Sequence, residues 1–434
     1  MMDFMRQSLD SAAGKAPPWL RDYLQSGRVR WEASSLPTRK TEQWKYTSLQ
    51  ALQAAYSPAS AGAMALTEAG VELPHFGGFR LVFINGHFSD EYSDSELPEG
   101  VSVVRFAEAD DTQAARVRSQ LGAIVGREES LFTALNDAAL ADGVFLDIAA
   151  GANIEQPFHV IWVSGNQGEA FSVNQRLLVL SGELSRASVI EHFVGAKSAQ
   201  QSFTNGVTEL LLGRAAVLNH YRLHLEEADA LHIGRVHARL EAQATLNSFH
   251  LALGSHLKRI DLVVDHCGQG AHSEVNGVYL PRGSEHIDYH TCIEHRVPNC
   301  TSNEVFRGIV GDEATAVFNG RIHIHRDAQK TKAQLSNRNL LTSTRAEVNT
   351  KPELEIYADD VQCAHGATVA QLDEMSLHYL CSRGISRADG LVMLSFGFIN
   401  EVIDTVRCDL LREYLQALLA DRFARDPALA GTVS

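Results

Sequence analysis

The stretch Glu285-His286-Ile287-Asp288-Tyr289-His290-Thr291-Cys292-Ile293-Glu294-His295 alternates apolar or β-branched residues with polar ones. A two-residue period puts Ile287, Tyr289, Thr291 and Ile293 on one face of a strand, and His286, His290 and Cys292 on the other. Segments of similar character begin near Leu218, Ala230, Ala244, Ser255, Ala271, Glu285, Cys300 and Glu313, at intervals of 12, 14, 11, 16, 14, 15 and 13 residues. No consensus recurs, so the regularity belongs to the fold and not to a sequence repeat. Evenly spaced short strands with almost no helical pattern, from about Val144 to Gln362, predict a sandwich, a barrel or a β-solenoid. A solenoid suits the alternation because each coil buries its inward row against the next. Periodicity alone leaves solenoid and sandwich open.

Outside this region the pattern is mixed. Pro17-Pro18 before Trp19, with Leu20, Tyr23 and Leu24 at helical spacing, predict a helix that Gly27 stops, and Pro37 breaks the next stretch. Arg80–Ile84 followed by Asn85-Gly86 reads as a strand and tight turn. Val101–Phe106 reads as a further strand, and Leu131–Leu140 as an amphipathic helix. On the C-terminal side, Thr368 with Gln371 reads as a capping box that opens a helix. Val369, Leu372, Met375, Tyr379 and Leu380 form its apolar stripe, which ends at Gly384. Ser386 with Asp389 suggests a second cap. Ile399, Val402, Ile403, Val406 and Leu410 follow helical spacing, and the stripe Ile399, Val402, Ile403 and Val406 is expected to face a core. The expected division is 1–145 (helical and small α/β), 146–366 (β core) and 367–434 (helical).

Composition narrows the function. The 434 residues carry 38 Lys and Arg against 53 Asp and Glu, a net charge of −15. Such a chain is repelled by phosphate backbones and anionic lipid, so neither nucleic acid nor membrane is an expected partner. No segment approaches the ~18 apolar residues of a membrane span, and the N-terminus lacks the apolar run of a signal peptide. Six cysteines without a CxxC pair make no disulfide scaffold. Reduced thiols and a cytoplasmic location are the expectation.

Of 19 histidines, 13 lie between His220 and His325. The densest set is His286, His290, Cys292, His295 and Cys300. Strand alternation splits it between two faces, and four ligands converge only if a turn near Pro298-Asn299 intervenes. His323 with His325, and His220 with His224, are pairs without an evident third ligand. These are expected to be strand-face histidines and not a closed metal site. No GxSxG, HExxH, GxxxxGK[ST] or GxGxxG signature occurs. One close thiol–imidazole pair remains, Cys363 and His365, on one strand face beside Gly366. By spacing it is either an exposed metal-handling pair or a buried thiol beside a capping histidine.

The run Lys351 to Thr368, KPELEIYADDVQCAHGAT, together with Arg383-Gly384-Ile385, Gly397-Phe398-Ile399-Asn400-Glu401-Val402 and Pro37-Thr38-Arg39-Lys40-Thr41-Glu42-Gln43-Trp44-Lys45-Tyr46-Thr47, resembles the SufB/SufD family of iron–sulfur cluster assembly proteins. The Cys-Ala-His-Gly-Ala-Thr form is that of its SufD branch. The resemblance implies a right-handed parallel β-helix between helical terminal regions. It further implies a non-catalytic scaffold that pairs with SufB and binds the ATPase SufC through its C-terminal helices. His365 carries over as the cluster-site histidine facing SufB, with Cys363 as a neighbouring candidate. Phe396, Phe398 and Glu401 are expected in the SufC contact. The implied cofactor is a transient iron–sulfur cluster shared with SufB, with none tightly bound to the isolated chain. A sheet edge shaped for SufB can also pair two copies of this chain when SufB is absent. The alternatives are a SufB-type primary scaffold, which the Cys-Ala-His form and the shorter chain disfavour, and a histidine-rich metal-dependent β-fold enzyme such as an oxygenase. A β-helix polysaccharide lyase is a weaker rival, because no acidic cluster stands out.

Overall fold

The computed structural model describes residues 2–54, 56–59, 71, 73–125, 130–195, 201–226, 229–424. From Val144 onward the chain winds back and forth between two sheets. Successive strands join alternate sheets, so each coil contributes one strand to each, and every neighbouring pair in this region is parallel. Val217, Thr245, His272, Thr301, Lys332 and Gln362 stand side by side, 27 to 31 residues apart along the chain. This is a flattened β-solenoid, which settles the choice that periodicity left open. The strands begin at Val217, Ala230, Thr245, Leu257, His272, His286, Thr301 and Thr315, each within two residues of its expected start.

The inward row is as alternation requires. Ile287, Tyr289, Thr291 and Ile293 are buried, as are their cross-coil neighbours Ile260, Leu262 and Val264. One corner of the solenoid repeats a device that alternation does not reveal. Leu184, Ala215, Gln243, Asn299 and Lys330 all have φ between 55° and 61°. The amides of Leu184, Ala215, Gln243 and Asn299 donate to carbonyls of the following coil, at Arg214, Ala242, Gln269 and Gln329. A left-handed residue with a side chain costs about 1–2 kcal/mol, and the bond to the next coil offsets it.

The N-terminal helices Asp3–Lys15, Arg21–Ala33 and Leu131–Ala138 pack on the outer face of one sheet, against residues such as Phe203, Val207 and Leu231. Gly27 does not stop a helix: Arg21–Ala33 runs through it. Its missing side chain instead admits the backbone of Asp137 and Ala138, which a Cβ would meet at 2.7–2.8 Å. Leu131–Ala138 is the expected amphipathic helix, but its polar face is buried as well: Asn136 satisfies carbonyls of two solenoid strands, Gln175 and Asn205. Phe79–Ile84 turns at Asn85 and Gly86, both at positive φ, into His87–Phe88, as expected.

The C-terminal helices Glu374–Ser382, Arg387–Ile403 and Asp409–Ala424 pack on the outer face of one sheet. Ile399, Val402, Ile403 and Val406 are buried against Tyr221, Phe249 and Leu251, the expected core stripe. Thr368 and Gln371 do not cap a helix; they belong to the last strand, Gln362–Gln371. The cap is Asp373, which accepts from the amides of Met375 and Ser376. Val369, Met375 and Tyr379 accordingly face solvent, with 44%, 80% and 57% exposure. Ser386 caps the next helix through the Asp389 amide, as expected.

Candidate functional site at the terminal coil

The solenoid ends on Glu347–Ile356 in one sheet and Gln362–Gln371 in the other, and each has one strand neighbour. Among the described residues, the outer edges of both strands therefore carry backbone groups without ladder partners. A free edge of this kind is a template for another strand. Pro352, which cannot donate to a ladder, sits in the first of them, as edge strands allow.

Register fixes which side chains point into the open end. Ala333, Leu335 and Asn337 are buried inward residues, and they stand beside Cys363, His365 and Ala367. Cys363 and His365 thus share the inward row, as alternation predicts, at a coil with no further coil to cover it. Cys363 is half-buried against the edge of the core, and His365 is exposed. Burial pushes the Cys363 thiol up, with the Ala333 amide acting in the opposite sense. No Cβ contact would arise at Gly366 within 4 Å, so the backbone beside His365 is open. Ile356, Tyr357 and Val369 add apolar surface at 41%, 63% and 44% exposure.

Inward from His365 the row continues through Leu335, one coil in, to Glu304, two coils in. Burial pushes the Glu304 carboxyl up to about 8, offset in part by the Thr291 hydroxyl. A neutral acid in this row is not legible from local sequence, where Glu304 reads as one polar residue of an alternating strand.

The histidine-rich middle resolves into contacts within strands, between coils and with the N-terminal segment. His286 meets Thr47 at 3.0 Å, and His290 lies 3.0 Å from Asp288 and 3.2 Å from Arg259. Cys292 lies 3.2 Å from Arg321. Burial nevertheless drives its thiol up to about 12. His220 is fixed by Glu191 and Ser248. His323 and His325 do acquire a third group, Glu294, and His224 acquires Glu226 and His232. His295 and Cys300 are brought together by the turn at Asn299, with His266 from the preceding coil.

Phe398 is half-buried, with its ring 5.9 Å from the Arg307 guanidinium, and Glu401 lies 3.7 Å from the same guanidinium while remaining 80% exposed. Phe396 packs on the edge of the helical core. Met375, Tyr379 and Met393 leave apolar surface on the same helices, exposed by 80%, 57% and 51%.

Comparison with known proteins agrees with this architecture. Residues 163–398 match the family model for the SUF system FeS cluster assembly SufBD core domain, and residues 1–160 match that for the SufBD protein N-terminal region. The iron–sulfur cluster assembly protein SufD of Escherichia coli is 32% identical over 399 residues, covering 90% of each chain. An iron–sulfur cluster assembly SufBD family protein of Synechocystis is 31% identical over 402 residues, 89% of this chain and 87% of the relative. Protein ABCI7, chloroplastic, of Arabidopsis thaliana is 28% identical over 375 residues, 85% of this chain and 78% of the relative. With both family models matched in sequence order and a solenoid between helical flanks, the chain belongs to the SufB/SufD family of iron–sulfur cluster assembly proteins.

Proposed function

We propose that the chain is a non-catalytic, SufD-type scaffold subunit of the cytoplasm that pairs with SufB through its terminal coil. The observation that carries this reading is the open end of the solenoid, where two free sheet edges frame an inward row bearing Cys363 and His365. A second β-solenoid stacked on that end would continue both sheets and cover Ile356 and Val369. In this reading the SufC ATPase docks on the C-terminal helices between Glu374 and Ala424, where Phe396, Phe398, Glu401 and the exposed Met375 and Tyr379 offer a mixed apolar and acidic surface. The β core, 146–366, presents the cluster site, and 1–145 braces its opposite end. A homodimer through the same edges forms when SufB is absent.

The nascent cluster is cargo shared across the interface. Stable clusters are held by four thiolates. A site that must release its cluster gains from few, mixed ligands at a joint that opens. The imidazole of His365 can donate a lone pair without adding a second anion. Cys363, whose thiol is pushed up by burial, is the weaker ligand.

The test is a full SufB–SufC complex carrying His365→Ala. The expected result is loss of cluster assembly with the three-protein complex still recovered; undiminished assembly would overturn the role of His365. Glu401→Arg tests the second surface and is expected to reduce recovery of SufC while leaving SufB pairing intact. Full recovery of SufC would move the contact elsewhere on the helices.

A further inference from the structure

Within one corner of the solenoid, two imidazole nitrogens and one sulfur, from His266, His295 and Cys300, lie within 4.8 Å of one another. All three residues have 0% exposure. His266 and His295 are register neighbours on adjacent coils, and the Asn299 turn returns Cys300 to the same corner.

The two Nδ1 atoms face each other at 3.0 Å. The two Nε2 atoms reach hydroxyls, Ser273 at 3.0 Å and Ser302 at 2.9 Å. When both Nε2–H groups donate to those hydroxyls, both Nδ1 lone pairs are left free within 4.8 Å of the Cys300 sulfur. Metal-bound histidines are oriented in this way, with the outer ring nitrogen fixed by a hydrogen bond. The nitrogen–nitrogen separation is also close to the roughly 3.3 Å edge of a tetrahedron with ~2.0 Å bonds. Burial favours the protonated Cys300 thiol, and the amides of Gly270 and Ala271 approach its sulfur and act in the opposite sense.

Two other three-donor groups compare poorly. Glu226, with His224 and His232, already faces the Lys258 ammonium at 3.6 Å. Glu294, with His323 and His325, faces Arg321 at 3.1 Å and Arg296 at 3.8 Å. A metal cation there would join existing cations, whereas the His266 group has no carboxylate to attract one.

We propose that His266 Nδ1, His295 Nδ1 and Cys300 Sγ hold one zinc-class transition-metal ion that ties two adjacent coils together. Binding replaces the Cys300 S–H bond by a metal–sulfur bond and releases one proton to solvent. The Gly268 and Pro298 carbonyls, 3.4 and 3.6 Å from the sulfur, offer oxygen for a fourth position.

The test is the full-length reduced chain, stripped with chelator in denaturant and refolded with Co²⁺ as the probe. The expected result is one Co²⁺ per chain, with a thiolate-to-cobalt charge-transfer band that Zn²⁺ displaces. Cys300→Ser should lose that band and Cys363→Ser should keep it, which separates this corner from the terminal coil. Ser273→Ala should keep the band and weaken binding by about tenfold to a hundredfold. Circular dichroism identifies variants that fold; if Cys300→Ser does not, His266→Gln carries the same expectation. A folded wild-type chain without the band, or a band that survives Cys300→Ser and vanishes in Cys363→Ser, would overturn the site.

Discussion

Arg176 donates from Nη2 to Glu209 Oε1 at 2.6 Å, and neither side chain has any exposure. The same guanidinium reaches Asp137 Oδ1 at 2.9 Å from Nη1 and the Tyr23 hydroxyl at 3.0 Å. One buried cation therefore joins two solenoid strands to the helices Arg21–Ala33 and Leu131–Ala138. Such a pair contributes little against a well-packed apolar replacement of the whole network, but removing one partner strands the rest.

Arg176→Met leaves Glu209 and Asp137 buried with less compensation, although the Gly122 amide and Arg30 still reach them. The expected loss is about 3–5 kcal/mol. Solenoids unfold by segments, so the effect is local. Hydrogen exchange should quicken across 21–33 and 131–138 while the terminal coils keep their protection. Uniform exchange rates along both regions would contradict the role given to Arg176.

Glu304 gives a pH dependence of definite sign. Burial raises its folded value to about 8, while the unfolded chain keeps an ordinary carboxyl near 4.5. Below about 4.5 both states are protonated and the group adds no penalty. As pH rises toward 8 the unfolded chain ionises and the folded one does not. Stability then falls by about 1.4 kcal/mol per unit, on the order of 3 kcal/mol by pH 7. Glu304→Gln removes that slope. Its thermal midpoint should exceed that of the wild type at pH 7–8, and the two should converge near pH 4. Parallel curves across this range would mean that Glu304 ionises freely in the folded protein.

The legible parts of this fold are those set by neighbours within one element or turn. The Ile287, Tyr289, Thr291, Ile293 row, the Asn85-Gly86 turn and the Ile399–Val406 stripe each depend on neighbours a few residues apart. What local pattern could not supply is the register between coils. His266 and His295 are 29 residues apart yet in contact, and Glu294 meets His323 and His325 across a similar gap. A histidine pair without a third ligand in its own strand finds one in the next. The corner residues Leu184 and Ala215 were equally hidden, since nothing in their side chains favours a left-handed backbone. Thr368 misled because a threonine three residues before a glutamine suits an edge strand as well as a helix cap. Cys363 and His365 stood out by spacing as one pair on one face; their place on an uncovered coil came from the fold.

That uncovered coil makes the last expectation. Unprotected edges invite pairing, and proteins that must stay monomeric blunt them with charge. Here the inward row of the final coil instead carries Ile356 and Val369, 41% and 44% exposed. Lysine at both positions adds charge where a stacked coil would need apolar contact. Because neither residue is buried in the single chain, Ile356→Lys with Val369→Lys should change its stability by no more than about 0.5 kcal/mol each. Light scattering should find the isolated variant monomeric, and recovery of SufB from a mixture should drop sharply while recovery of SufC is retained. This pattern differs from that of His365→Ala, which is expected to keep SufB and lose the cluster. If the double lysine variant still pairs with SufB at full strength, the partner lies on another face, and His365 would then have to work without a ligand opposite it.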